Sequence, residues 1–357
     1  MTNKKKVSIA ALLTVLFGTL LVSLYLYTKL SDVFVTPNHP ELLPLKSRVF
    51  ETAENTHRPV NILLLGYGGE GHDGTYLTDV MIVLSLERES KKALITSIPR
   101  DLWVEIPTDT NENQKSKINT AFAFGSAKSR AEGGNLAKLV TSQAIGMPID
   151  YYVAVDFQGF VDVIDSLGKI DVNVPETFDD YYYPIKGLEN ETCGFAEETI
   201  SQLHVDFSGF DLEKRFVCRW EHLHFDKGIV SMDGSTALKF VRSRHSDTHG
   251  GDFSRSVRQF EVLEAIKKKI VSLAALPQVD NIIEELGESV MTDIDHAVTQ
   301  EVIKLKLDPD SYSVKTISLS TDNVLVNSTG PAGQYILIPR AGSNNFSQIH
   351  AFIKSFL

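Results

Sequence analysis

Two apolar runs joined by a loop too short to hold a helix constrain this chain more than any other feature. Val60 to Leu65 and Asp79 to Leu86 each have the length and apolar character of a buried strand. Between them lie Gly66-Tyr67-Gly68-Gly69-Glu70-Gly71 and then His72 to Thr78, with Gly74 inside. The glycines match G-x-G-x-x-G, and Glu87 closes the second run about 20 residues on, the outline of a dinucleotide-binding fingerprint. The surroundings exclude that reading. A parallel β-α-β unit needs a crossover of about a dozen residues or more, normally a helix. The two strands are therefore expected to be joined by the loop alone and to run antiparallel. The loop is not a Walker A motif either, because no Gly-Lys-Ser/Thr follows it.

Further runs extend the pattern. Ala93 to Ile98 reads as a third strand, ended by Pro99, which cannot donate to a ladder. Leu136, Leu139, Val140 and Ala144 have helical spacing, and Gly146 supplies a stop. Tyr151 to Phe157 alternates as a strand; Phe160, Val163, Ile164 and Leu167 fit one helix face, closed by Gly168; Ile170, Val172 and Val174 alternate again. Asp233 to Arg244 reads as a helix, and so does Phe253 to about Leu273, with Val257, Phe260, Leu263, Ile266 and Ile270 as its apolar stripe. Strand-like runs at Tyr312 to Ser318 and Tyr335 to Ile338 precede a short helix at Ser347 to Phe356. Interleaved strands and helices predict an α/β class, an α-β-α layered sandwich with a mixed central sheet flanked by helices.

The amino terminus sets the expected compartment. Lys4, Lys5 and Lys6 precede an uncharged run from Val7 to Tyr27, and only Lys29 and then Asp32 follow. A spanning helix needs roughly 20 apolar residues, and the positive flank stays cytoplasmic. A cleaved signal peptide is the alternative, but its apolar core would be shorter and no small-x-small site follows Tyr27. The expected plan is a cytoplasmic tail (1–6), a single transmembrane anchor (7–27), a stalk (28–58) and one extracellular domain (59–357). Within that domain the core is expected at about 60–273, with an insertion at about 186–228 and a carboxy-terminal extension at 274–357. Two cysteines in 357 residues are too few for a disulfide-rich scaffold. Outside a cell, Cys193 and Cys218 are most simply one disulfide stapling the insertion. The net charge of −11 argues against a nucleic-acid binder.

Candidate chemistry lies in two places. Around the glycine loop, which also carries His72, Asp79 with Glu70 and Asp73 offers hard oxygen ligands suited to Mg²⁺, which takes few protein donors and lets substrate phosphates fill the rest. Ser97-Ile98-Pro99-Arg100-Asp101 presents Arg100 at a strand end, and Lys117-Ile118-Asn119 adds a cation. Alone, an Arg100–Asp101 surface pair would be worth little. The second place runs from Phe240-Val241-Arg242-Ser243-Arg244-His245 to Arg258-Gln259. Arg242, Arg244, Arg255 and Arg258 outweigh Asp247 and Asp252 there, a net +2 in an acidic chain. Arginine presents a planar fork that matches phosphate oxygens bidentately, so phosphate or pyrophosphate is the expected ligand, against the bland alternative of an exposed charged helix. Asp252 is placed to cap the helix that follows, with Arg255 and Gln259 on one face of it. His222 and His224 could ligate a metal, but no third ligand is spaced to join them.

Taken in order, Asn61 to Gly66, Thr78-Asp79, Ser97 to Asp101, Lys117 to Asn119 and the block from Asp233-Gly234 through Val241-Arg242-Ser243-Arg244 to Arg258-Gln259 resemble the LytR–CpsA–Psr family. The likeness runs from about residue 60 to 273, with more toward the carboxy terminus, and the anchored layout matches too. It implies a cell-surface transferase that moves a glycan-1-phosphate from a polyprenyl-pyrophosphate carrier to a cell-wall hydroxyl, commonly on peptidoglycan. By that resemblance Asp79 helps hold Mg²⁺, and Arg100, Lys117, Arg242, Arg244, Arg255 and Gln259 grip the pyrophosphate. Asp252 orients arginines or helps activate the acceptor. The resemblance also implies an apolar tunnel for the prenyl chain.

Two departures stand out. Gly68 occupies a place where the family usually has an aspartate, and Leu77 one where an arginine precedes the Ser/Thr-Asp pair. Glu70 or Asp73 is expected to supply the missing carboxylate. A non-catalytic polyprenyl-phosphate binder and an extracellular lipid pyrophosphatase remain the alternatives to a transferase.

Overall fold

The computed structural model describes residues 58–72, 74–87, 89–107, 114–246, 251–273, 290–294 and 312–357. The expected tail, anchor and stalk lie outside the described residues, apart from Arg58, and so does Asp73. Among the described residues no helix is long and apolar enough to cross a membrane.

In chain order the elements are β1 (Val60–Tyr67), β2 (Thr78–Glu87), β3 (Lys92–Ser97), β4 (Trp103–Ile106), β5 (Gln114–Lys117), α1 (Thr120–Ser126), α2 (Arg130–Ile145) and β6 (Tyr151–Asp156). Next come α3 (Phe157–Ser166), β7 (Ile170–Val174), β8 (Phe178–Pro184), α4 (Glu197–Asp206), α5 (Gly209–Glu213), β9 (Trp220–Phe225) and β10 (Gly228–Met232). Then follow α6 (Gly234–Arg242), α7 (Gly251–Leu273), β11 (Met291–Thr292), β12 (Ser313–Ser318), β13 (Leu325–Thr329), β14 (Tyr335–Pro339) and α8 (Ser347–Lys354). They form two compact units, one up to Asp156 and again from Ile283, the other from Phe157 to Ile282.

The first unit is built on a six-stranded sheet in the order β11-β6-β1-β2-β3-β12. β1 and β2 run antiparallel, as their short loop requires, while β6 pairs parallel with β1 and β12 parallel with β3. The sheet is therefore mixed. One face of β1 is buried through Leu63, Leu65 and Tyr67, and it joins a core with Val83, Leu94, Phe122, Ala137, Val140 and Ala144. Each fully buried leucine contributes roughly 1.5–3 kcal/mol. Helix α2 begins earlier than its apolar spacing indicates, because the Ser129 side chain accepts a hydrogen bond from the Glu132 amide and caps it. It ends at Gly146 with φ +74°, where a Cβ would lie 2.5 Å from the His350 ring. The β4–β5 hairpin and α1 carry no clear sequence periodicity and were not expected.

The second unit holds two small antiparallel sheets, β7–β10 and β8–β9. Phe157, expected at the end of a strand, is the first residue of α3. Asp233 caps α6, its carboxylate accepting from the Thr236 amide at 2.9 Å. That bond holds the Asp233 carboxyl below its ordinary range. Gly234 is required there, because a Cβ would sit 2.3 Å from the Val161 carbonyl oxygen on α3. Cys193 and Cys218 form the expected disulfide, with a Cα separation of 5.5 Å, and close the segment that carries α4 and α5.

Helix α7 corrects two expectations. It starts at Gly251, so Asp252 lies inside the first turn and not at the cap. Its buried residues include Arg255, Ser256, Arg258, Gln259, Val262 and Ala265, whereas Ile270 of the expected apolar stripe is 42% exposed. Part of this polar face is paired: Arg258 donates to the Ser243 carbonyl, and its guanidinium lies 4.9 Å from the Phe178 ring centroid.

Candidate functional site

In the first unit, the register of the β1–β2 pair positions the key carboxylate. Gly66 pairs with Val80 and Tyr67 with Thr78, so the register shifts past Asp79. Such a bulge re-aims the side chain it carries. The Asp79 carboxylate, 33% exposed, forms a close ion pair with the Arg100 guanidinium. Arg100 Nε lies 3.6 Å from Asp101, and Lys117 Nζ donates to Asp101 Oδ1 at 2.5 Å. Three expected residues, Asp79, Arg100 and Lys117, thus stand in one chain of alternating charge, with Asp101 between the two cations. The backbone ties this chain together. The Asn119 amide donates to the Arg100 carbonyl at 3.4 Å, and the Thr78 amide donates to the Asn119 carbonyl at 3.2 Å.

The glycine loop explains the departure at position 68. A Cβ on Gly68 would lie 2.8 Å from the Cβ of His72 and 2.9 Å from its Cγ. The histidine occupies the space that a longer residue at 68 would need. Glu70 is exposed at the loop surface. A carboxylate that the sequence reading did not name, Asp156, leans over the loop, with Oδ2 3.0 Å from where a Cβ on Gly69 would be. The parallel β1–β6 pairing brings it there, since Tyr67 and Asp156 are register partners.

Among the described residues no group of three or more His, Cys, Asp or Glu could hold a metal ion by itself. A Mg²⁺ at a phosphate-transfer site needs only one or two carboxylates, with substrate and water supplying the rest. Asp79, bulged out of the ladder and partly exposed, is a hard donor of that kind, so the residues present fit such an ion.

In the second unit the arginine motif folds around one aspartate that the sequence reading missed. Asp180, on β8, is fully buried. Its Oδ2 accepts from the Ser243 hydroxyl at 2.7 Å, the Arg244 amide at 3.0 Å and the His245 amide at 3.1 Å. Its Oδ1 accepts from the Tyr182 amide at 3.0 Å. The turn after α6 is therefore wound on a single carboxylate, and Arg242 and Arg244 flank it. Arg258 of α7 closes the turn from the other side by donating to the Ser243 carbonyl, and its guanidinium lies 4.9 Å from the Phe178 ring centroid. Burial lowers the Arg258 pKa to about 10, so it stays charged at neutral pH. Arg242 stacks 4.2 Å from the Phe157 centroid and donates from Nη1 to the Tyr183 hydroxyl at 3.3 Å. Burial raises the Tyr183 pKa, which keeps that hydroxyl protonated. Arg255 and Gln259, expected to bind pyrophosphate, are 8% and 7% exposed. The side chain of Asp252 lies outside the described residues.

His222 and His224 both bond one carboxylate oxygen, Asp179 Oδ1, at 2.7 and 2.8 Å. That bonding raises the His224 pKa and lowers that of Asp179. The two imidazoles are engaged in a hydrogen-bonded cluster across the β8–β9 pair.

Comparison with known proteins gives the family of the chain. The chain is 29% identical over 294 residues to polyisoprenyl-teichoic acid–peptidoglycan teichoic acid transferase TagV of Bacillus subtilis (strain 168), covering 82% of this chain and 63% of that protein. It thus spans just under two thirds of the length of TagV. It is 29% identical over 269 residues to the like-named transferase TagU of Bacillus mycoides (strain KBAB4), covering 75% of this chain and 71% of that protein. The crystal structure of B. subtilis TagV superposes with a TM-score of 0.58 at 26% identity, over 85% of this chain and 98% of that one. The LytR_cpsA_psr family model matches residues 32–342, well over half of the sequence, and the chain belongs to that family.

Proposed function

We propose that this protein is a membrane-anchored, Mg²⁺-dependent phosphotransferase that moves a glycan-1-phosphate from a polyprenyl-pyrophosphate carrier onto a cell-wall hydroxyl, outside the cell. The observation that carries the reading is the Asp180-centred turn, which fixes Arg242 and Arg244 while leaving both partly accessible. Family membership and the names of the relatives support the same chemistry.

Phosphoryl transfer asks for positioning and charge neutralisation more than covalent help. Arg242 and Arg244 bind the pyrophosphate oxygens as planar forks, and Arg255 and Gln259 of α7, both buried, complete the set that the family resemblance implies. Phe157 and Tyr183 hold the Arg242 side chain in place, so little freedom is lost on binding. By the family resemblance, Asp79 would hold the ion, and Arg100 and Lys117 beside it would supply cationic charge for phosphate oxygens. When bound, Mg²⁺ polarises a phosphoryl oxygen as a Lewis acid.

A second reading, a carrier-lipid binder without turnover, is favoured by Gly68 and by the histidine that fills its space. One assay separates the two. The full chain in detergent is incubated with a synthetic polyprenyl-pyrophosphate disaccharide, a peptidoglycan fragment and Mg²⁺. Acceptor-dependent release of polyprenyl phosphate is expected. Arg242→Ala is expected to lower that release by about 10²-fold or more with an unchanged melting temperature. Retained lipid with no release would establish the binder, and release without acceptor a pyrophosphatase.

A further inference from the structure

The turn that carries the arginines ends on a side chain to which no function has been given. His245 follows Arg244 directly, and its ring is half-buried. It stacks on Phe210 of α5, with centroids 4.0 Å apart and planes 17° from parallel. Phe210 is itself held edge-on by Tyr182 at 5.6 Å and Trp220 at 5.9 Å, and Lys214 Nζ lies 5.3 Å from its centroid. The His245 amide is tied to Asp180 at 3.1 Å. Backbone and ring are thus both fixed. Neither ring nitrogen has a hydrogen-bond partner among the described residues. A half-buried imidazole ordinarily satisfies at least one nitrogen inside the protein. Here the ring is clamped through its face while its nitrogens are left for something else.

We propose that His245 is the general base of the transfer reaction, accepting the proton of the acceptor hydroxyl. The proposal rests on the phosphotransferase reading above. The acceptor O–H proton passes to a His245 ring nitrogen as the acceptor oxygen forms its bond to the phosphorus that bears the glycan. The P–O bond to the polyprenyl phosphate breaks, and its electron pair stays on that departing phosphate. The imidazolium proton then leaves to solvent. The surroundings suit the task. Burial is the main influence and lowers the His245 pKa, Arg244 and Lys214 lower it further, and Asp180 opposes them. The ring is consequently neutral, and able to accept a proton, over more of the pH range than an ordinary histidine. Its holder comes from the disulfide-closed segment, so that segment contributes to the chemistry by way of Phe210.

The test is the pH dependence of kcat/KM for the full chain in detergent, with the polyprenyl-pyrophosphate disaccharide and the peptidoglycan fragment, over roughly pH 5 to 8. The wild type is expected to lose rate on the acid side through one protonation, with a midpoint below the ordinary histidine value of 6.5. His245→Gln is expected to lose that acid limb and to lower kcat about 10²- to 10⁴-fold, with carrier-lipid binding unchanged and the protein still folded. His245→Gly is expected to regain activity with added imidazole, which a purely structural role would not allow. Phe210→Leu is expected to retain activity while the acid limb moves to higher pH, since the ring loses part of its cover. An unchanged acid limb or an unchanged kcat in His245→Gln overturns the assignment while the transferase reading stands. A wild type without acceptor-dependent turnover overturns both.

Discussion

Asp180 carries more of the arginine turn than any residue the motif itself contains. It is fully buried, and its two oxygens accept four hydrogen bonds, three of them from consecutive residues 243–245. Removing the carboxylate would leave one buried donor and three half-buried ones without their acceptor, at up to about 1–3 kcal/mol each. Asp180→Ala is therefore expected to cost about 3 kcal/mol or more in urea unfolding and to abolish turnover. Asp180→Asn, which keeps the shape and one acceptor oxygen, is expected to cost less. A loss below about 1 kcal/mol for the alanine variant would show that the turn holds itself. Nothing in the sequence marks Asp180 above Asp179, its neighbour. The two differ only in which face of β8 they occupy, and only strand pairing decides that. Gly68 gives the converse case. Its departure from the family pattern is visible in the sequence, but its reason, the His72 side chain lying against it, exists only in the folded loop.

Elements were legible where their period was regular. β1, β2, β3 and β7 match their expected runs to within a residue or two, because each carries a buried apolar face. The antiparallel pairing of β1 and β2 followed from loop length alone. Helix α7 was found but turned wrongly. Its apolar stripe implied one inward face, whereas Arg255, Arg258 and Gln259 are buried, with Arg258 bonded to the Ser243 carbonyl. A hydrophobic stripe cannot signal a face buried by hydrogen bonds and ring contacts. The segment Glu221 to His224 reads as a strand, as β9 is, but β8, α4 and α5 are not legible, since their residues mix aromatic, acidic and basic types without a period. What could be read there was the cysteine pair. The closed loop spans a sequence separation of 25, and the chain-entropy model gives roughly 3–4 kcal/mol for it. Replacing both cysteines with serine is expected to lower the stability of this segment by about that amount. The check is proteolysis within residues 193–218, which should be accelerated with the β1–β2 region still protected. Equal protection in the variant would mean that packing alone holds the segment.

For the molecule as a whole, the metal requirement is the broadest prediction. Asp79 offers a bulged, partly exposed carboxylate, but no described cluster completes a cage around it. Binding of Mg²⁺ should therefore depend on substrate oxygens. Isothermal titration of the full chain is expected to give weak Mg²⁺ binding that tightens when the pyrophosphate carrier is present, and Asp79→Ala should remove the tightening. Tight binding in the absence of carrier would contradict this. The α/β class, the order of most strands and helices, the disulfide and the family are legible in the chain, because periodicity, loop length and ordered motifs are written along it. Which face each helix buries, where the β1–β2 register leaves Asp79, and which carboxylate gathers the Ser243–His245 turn were decided only by tertiary structure. Those outcomes depend on partners distant in sequence, and a buried polar residue is fixed by the partner it meets.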